Sequence, residues 1–233
     1  MSIGAECMST PNYGTSDHYL GDEGERYFLW QNSLAQVGGR IEALKFRRYI
    51  HPSNCVLDFG CAAGFTLRNI PCARRLGIEI NPAARRIALK NGIEVYATTS
   101  EVPDAVADVI ISNHALEHIP YPIQALRELR AKLKPAGRLV LVVPLDDWRT
   151  QKIYDPSDIN HHLYTWTPQL LGNAMQEAGF NHRKLNIRVL THAWFPGSHS
   201  CFERIPQNLF DCLCWIFAIM VRRRQLVVVY ESV

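Results

Sequence analysis

Val56-Leu57-Asp58-Phe59-Gly60-Cys61-Ala62-Ala63-Gly64 is an apolar run that stops at an acid and then turns on small residues. It reads as a first β-strand running into a loop that delivers a nucleotide-like cofactor to the next helix. Glycines at 60 and 64, with alanines at 62 and 63, let the backbone approach a ligand where larger side chains would fill the space. Outward from this loop, a second strand over Leu76 to Ile80 belongs to the stretch Gly77-Ile78-Glu79-Ile80-Asn81-Pro82. Its acid falls about 20 residues past the first loop, where a carboxylate can hold both ribose hydroxyls. The loop lacks the G-x-G-x-x-G that seats a pyrophosphate on a helix N-terminus, so a nicotinamide-dependent oxidoreductase is disfavoured.

Two further segments follow in order: Ala107-Asp108-Val109-Ile110-Ile111-Ser112-Asn113-His114-Ala115-Leu116-Glu117-His118, then Leu133-Lys134-Pro135-Ala136-Gly137-Arg138-Leu139-Val140-Leu141-Val142-Val143-Pro144. Together, the four segments between residues 55 and 145 resemble the class I S-adenosylmethionine-dependent methyltransferases of the small-molecule type. The resemblance implies a doubly wound α/β fold, with a mostly parallel seven-stranded sheet, helices on both faces and an antiparallel last strand. It also implies S-adenosyl-L-methionine as cofactor and S-adenosyl-L-homocysteine as product. Asp58 then faces the methionine end of the cofactor, and Asn113 and His114 contact its methionine portion.

The chain departs from the family pattern at three places. Ala62 stands where the middle glycine is usual, and Ala136 replaces the first glycine of a Gly-Gly turn. In Ala97-Thr98-Thr99-Ser100-Glu101 no acid matches the one that relatives often offer to the adenine amino group, so a Thr98 or Thr99 hydroxyl is expected there. The expected cofactor-binding set is Asp58, Gly60, Cys61, Ala62, Gly64, Glu79, Ile80, Thr98, Thr99, Asn113 and His114.

With 233 residues, the chain can bury one α/β core and little more. Its 25 Lys plus Arg against 22 Asp plus Glu imply no strongly basic surface, which argues against a nucleic-acid partner. Seven cysteines without C-x-x-C spacing read as free thiols of a reducing cytoplasm. The N-terminal stretch lacks the basic start and apolar run of a secretory signal. A cytoplasmic protein is expected.

Along the chain, residues 1–50 are expected to form an N-terminal helical lid or extension, with helices over Glu25 to Gln36 and Arg40 to Ile50, the second stopping before Pro52. In that lid Tyr19, Tyr27 and Trp30 are candidates to close over the cofactor. Residues 51–233 are expected to form the cofactor-binding domain, with strands at Val56 to Phe59, Leu76 to Ile80, Glu94 to Tyr96, Val109 to Ser112, Leu139 to Val143, Lys184 to Leu190 and Gln225 to Tyr230. A helical insertion is expected at 202–224. Its apolar run, Leu209 to Val221, ends at Arg222-Arg223-Arg224 and is too short to cross a bilayer at about 1.5 Å per residue. The run packs on the sheet or on a partner subunit, or it lies at a membrane surface, peripheral to the inner face.

Methyl transfer from a sulfonium is an in-line displacement, so positioning supplies most of the rate and a general base adds to it. That directs attention to the histidines. His118 follows the fourth strand, on the side where ligands bind. Asn160-His161-His162-Leu163-Tyr164-Thr165-Trp166 follows the fifth, where two histidines and two aromatic faces suit a base and a stacking surface for a sugar or other flat acceptor. His161, His162 and His118 are the catalytic candidates, and the first two are indistinguishable at this level. His114-Ala115-Leu116-Glu117-His118 also matches the H-x-x-E-H of one class of zinc peptidases, in which two histidines share a helix face. It directly follows a core strand already accounted for by the cofactor loops, so no metal is expected. The reaction expected is methylation of a small-molecule acceptor, at an oxygen of a sugar or other polar metabolite. A lipid or quinone precursor at a membrane surface is the alternative acceptor, and a cofactor-binding subunit without turnover is the alternative from another class.

Overall fold

A computed structural model describes residues 13–145, 154–193 and 204–232. The chain before Tyr13, Cys7 and Cys201 lie outside the described residues, and the five described cysteines are free thiols. Seven strands, β1 (Cys55–Phe59), β2 (Arg74–Ile78), β3 (Glu94–Tyr96), β4 (Ala107–Asn113), β5 (Leu133–Pro144), β6 (Leu185–Thr191) and β7 (Arg224–Glu231), form one sheet in the order β3-β2-β1-β4-β5-β7-β6. The first five run parallel, and β7 lies antiparallel to both β5 and β6. The doubly wound arrangement read from the sequence is therefore the one observed.

Strand β1 is buried along its whole length because the sheet is covered on both faces, and alternate residues feed two cores. Leu57, Ile110, Leu139 and Val228 point into one core. There they meet Leu126 and Leu129 of α4 (Pro122–Lys132) and Leu171 and Met175 of α5 (Pro168–Glu177). Val56, Val109, Val140 and Val227 feed the other, against Phe46, Leu67 of α2 (Phe65–Arg68) and Ala88 of α3 (Pro82–Lys90). Helix starts follow their local chemistry. Asn81 Oδ1 accepts from Ala83 N–H at 2.9 Å and Ala84 N–H at 3.2 Å with Pro82 next, and Thr167 Oγ1 accepts from Leu170 N–H at 3.2 Å ahead of Pro168.

The expected pair of N-terminal helices is one helix, α1 (Gly21–Ala43), followed by a 3₁₀ turn at Arg47–Tyr49. Gly38-Gly39 does not break it. A Cβ at Gly39 would stand 2.7 Å from the Phe65 carbonyl carbon, so the glycine serves close packing of α1 on α2. Strand β2 stops at Ile78 instead of Ile80: its carbonyl accepts from Gly60 N–H and Cys61 N–H, which turns the chain and leaves Glu79 beyond the sheet. The apolar run near the C-terminal end is helix α6 (Gln207–Met220).

Candidate functional site

In the sheet order, β1 and β4 are neighbours from which the chain winds outward in opposite directions, and the crevice beyond their carboxyl ends is where such sheets bind ligands. Two adjoining clefts occupy that crevice. One, with about 780 Å³ of empty space, is walled by Tyr13, Tyr19, Tyr27 and Phe28 on the N-terminal side and by Phe59, Gly60, Glu79, Ile80, Ala115 and His118 on the sheet side. The other, with about 840 Å³, is lined by Gly38, Gly39, Glu42, Asp58, Cys61, Asn113 and His192. Gly60, Ala62 and His114 line both.

The loop between β1 and α2 needs its glycines for backbone conformation and for close packing on the segment after β4. Gly60 and Gly64 both have φ +76°, and a Cβ at Gly60 would fall 2.5 Å from Ala115 Cβ. Ala62 carries a positive φ of 46°, the conformation for which the family's usual glycine is suited. Glu79 is pinned from two sides: its Oε2 accepts from Ala62 N–H and its Oε1 from Asn81 N–H, each at 2.8 Å. Each oxygen keeps lone pairs for a hydroxyl donor. Asp58, almost fully buried at the end of β1, has its pKa pushed up to about 8 by burial and by the Glu79 charge. A cationic ligand would favour its ionised form.

Eight of the eleven expected cofactor residues line the clefts, and three do not. Gly64 shapes the loop, its N–H bonded to Cys61 O at 2.8 Å. Thr98 and Thr99 are buried outside the clefts, with Thr98 Oγ1 paired to Ser100 Oγ at 2.7 Å and Thr99 Oγ1 donating to Glu128. The segment after β4 is not an α-helix. His114 turns at φ 55° and a 3₁₀ turn spans Leu116–His118, so His114 and His118 do not share a helix face. His114 instead pairs with Glu117 Oε1 at 3.1 Å and with Gln225 Oε1 at 3.0 Å.

The three candidate histidines separate. His162 packs edge-on to His118 with ring centroids 4.8 Å apart, whereas His161 is exposed and stacks on His18 at 4.6 Å. Glu117, His118 and His162 bring one ligand atom each to within 4.8 Å of one another, a donor set of the kind that could hold a cation. Burial works against a charge on Glu117, but the His114 hydrogen bond and the imidazoles of His114, His118 and His162 outweigh it and bring its pKa to about 2. The expected aromatic platform does not form: Trp166 is buried in the core, and Tyr164 O–H donates to Pro120 O at 2.9 Å.

Of the three candidates, His118 is the one that borders a cleft, and its setting defines its chemistry. Tyr19 Oη lies 2.6 Å from His118 Nδ1 and 2.9 Å from Asn160 O. A carbonyl can only accept, and burial raises the Tyr19 pKa, so the one phenol proton goes to Asn160 and Nδ1–H of His118 donates to the phenol. That leaves Nε2 with the lone pair. Burial lowers the pKa of His118, which favours this neutral form.

Sequence reading had placed Tyr19 only in a lid and had not singled out a second network. Lys45 Nζ, largely buried, donates to Asn113 Oδ1 at 3.1 Å, to Gln225 Oε1 at 3.0 Å and to Glu42. His192 faces the other Glu42 oxygen at 3.5 Å, and burial together with the Lys45 charge lowers its pKa to about 3. These partners are separated by up to 180 residues, so no local motif announces them.

Residues 26–185 match the family model described as a methyltransferase domain. An uncharacterized methyltransferase of Mycobacterium bovis is 32% identical over 100 residues, 39% of this chain and 50% of that protein. The ubiquinone biosynthesis O-methyltransferase of Aeromonas salmonicida is 31% identical over 101 residues, 37% of this chain and 41% of that protein. The matched stretches thus span half or less of these relatives' length. Among solved structures, a S-adenosylmethionine-dependent methyltransferase from Thermotoga maritima, a possible histamine N-methyltransferase, superposes with a TM-score of 0.61 at 16% identity. The superposition covers 93% of this chain and 98% of that one.

Proposed function

The chain belongs to the methyltransferase domain family, and from that membership we propose that it methylates a hydroxyl oxygen of a small acceptor, a sugar or other polar metabolite, with His118 as general base. S-adenosylmethionine, when bound, supplies an electrophilic methyl carbon on a positively charged sulfur. The residues present fit that group: a cleft bordered by the Gly60 and Ala62 backbone, a buried Asp58 carboxyl to complement positive charge, and a Glu79 carboxylate fixed in place with lone pairs to spare. Asp58, Gly60, Ala62, Glu79, Ile80, Asn113 and His114 are the residues that would hold it.

The tautomer of His118 carries the reading. With Nδ1–H committed to Tyr19 and Tyr19 O–H committed to Asn160, Nε2 is the atom that can take a proton from an acceptor hydroxyl. Tyr19 is a positioning residue, holding the ring and its tautomer. His162 packs the ring from the other side, and His161 stacks on His18 instead.

A second reading, a phenolic acceptor such as a quinone precursor, is favoured by the aromatic wall of Tyr13, Tyr19, Tyr27, Phe28 and Phe59, and by the burial of Trp166 away from any sugar face. Transfer of labelled methyl from S-adenosylmethionine to panels of sugars and of catechols tests both. His118→Ala should lower kcat by about 10² to 10⁴ while leaving cofactor affinity intact. Tyr19→Phe should lower kcat with KM unchanged and shift the acid limb of the pH profile, which loss of packing alone would not do. Tight cofactor binding with no transfer to either panel would favour a binding subunit, and no cofactor binding by folded protein would overturn the assignment.

A further inference from the structure

Helix α6 is apolar on every side. Phe210, Cys214 and Ala218 face inward, where Phe210 and Cys214 pack on Ile41 of α1. Its outward side chains Leu209, Leu213, Trp215, Ile216, Ile219 and Met220 are 44% to 77% exposed. A helix that is hydrophobic all round belongs in a setting that covers it all round, and large contiguous apolar patches mark contact sites.

Charge and size indicate what covers it. The acid within the helix, Asp211, is neutralised by Arg40 at 2.6 Å. Exposed arginines flank the apolar face, with Arg204 ahead of the helix and Arg222 and Arg224 directly after it. Such a face complements an apolar layer edged with negative charge. The helix has 14 residues and is about 21 Å long, short of the ~30 Å needed to cross a bilayer.

We propose that α6 docks the protein on an anionic lipid surface. Its outward apolar side chains lie at the level of the upper acyl chains, and Trp215, Arg222 and Arg224 at the headgroups. This goes beyond the proposed reaction and does not rest on it. It places the candidate site close to the bilayer, because Gln225, next after Arg224, reaches His114 of the cleft.

The test is co-sedimentation of the full chain with vesicles of phosphatidylcholine alone and of phosphatidylcholine with phosphatidylglycerol. Expected is partition into the anionic vesicles, weakened by salt, with a blue shift of tryptophan emission that is absent in Trp215→Phe. The double variant Trp215→Glu/Ile219→Glu, at exposed positions, should lose at least tenfold in partition while keeping its melting temperature and cofactor affinity. Arg222→Glu/Arg224→Glu should lose binding to the anionic vesicles selectively. Absence of partition by folded protein overturns the proposal, as does partition that the Trp215→Glu/Ile219→Glu variant retains. Self-association in sedimentation velocity that the same variant abolishes, without lipid binding, also overturns it and assigns the face to a second copy.

Discussion

Ala62 and Ala136 both hold positive φ, 46° and 62°, at the two positions where the family pattern has glycine. A Cβ in that conformation costs roughly 1 to 2 kcal/mol, and glycine gives back part of this through its unfolded-state entropy. Ala136 is exposed, so Ala136→Gly loses no packing and should stabilise the fold by about 0.5 to 1 kcal/mol in urea unfolding. Asp58 sets a pH dependence. Its pKa rises from 3.8 to about 8 on folding, so its contribution to stability is complete below 3.8 and is lost as pH rises through about 8. Between about pH 4 and 8 the protein should lose stability relative to Asp58→Asn, with no further loss at higher pH. A cationic ligand prefers the ionised carboxylate, so binding S-adenosylmethionine at pH 7 should release a proton. Titration calorimetry in two buffers of different ionisation enthalpy would show this as unequal heats, and equal heats would remove Asp58 from the role.

Among the elements, α1 carries the clearest lesson about legibility. Local propensity places a break at Gly38-Gly39, because glycine weakens a helix. The helix continues, and the reason lies 26 residues away in the Phe65 backbone that Gly39 abuts. Gly39→Ala improves helix propensity, yet it should destabilise the protein by more than 1 kcal/mol, about the scale of overpacking, and lower the thermal midpoint. The strands were legible because alternation, turn residues and the glycine loop are local signals, and the resemblance supplied the doubly wound arrangement. The loops that border the clefts were legible for the same reason, and eight of the residues expected to bind line those clefts. Thr98 and Thr99 fall outside the clefts, and the partners of their hydroxyls, Ser100 and Glu128, are set by packing that the sequence does not display. Tyr19 reaching His118, and Lys45 reaching Gln225, join positions 99 and 180 residues apart, which no spacing rule contains.

For the whole molecule, the clefts join the N-terminal wall, the sheet ends and the β7 start into one unit, so cofactor binding should act on global stability. At a ligand concentration 100 times Kd the gain is about 2.7 kcal/mol. For a chain of this size that raises the thermal midpoint by about 5 to 11 °C. Differential scanning fluorimetry with S-adenosylmethionine would record it, and Glu79→Ala should reduce the shift. A midpoint unchanged at saturating ligand would contradict the assignment of the clefts.

The place of β7 in the sheet has a bearing on synthesis. It is last of the seven in sequence, yet it lies between β5 and β6. While the ribosome is still making residues 224–231, β5 has an open edge running through Leu139–Val143, and β6 has no neighbour at all. An unpaired apolar edge invites pairing with other chains. The nascent protein is therefore most exposed to aggregation in the interval before β7 has been made. Gln225, the amide that receives both Lys45 and His114, arrives in the same moment, so translation arrested short of that strand would yield a polypeptide that neither closes its sheet nor assembles its site.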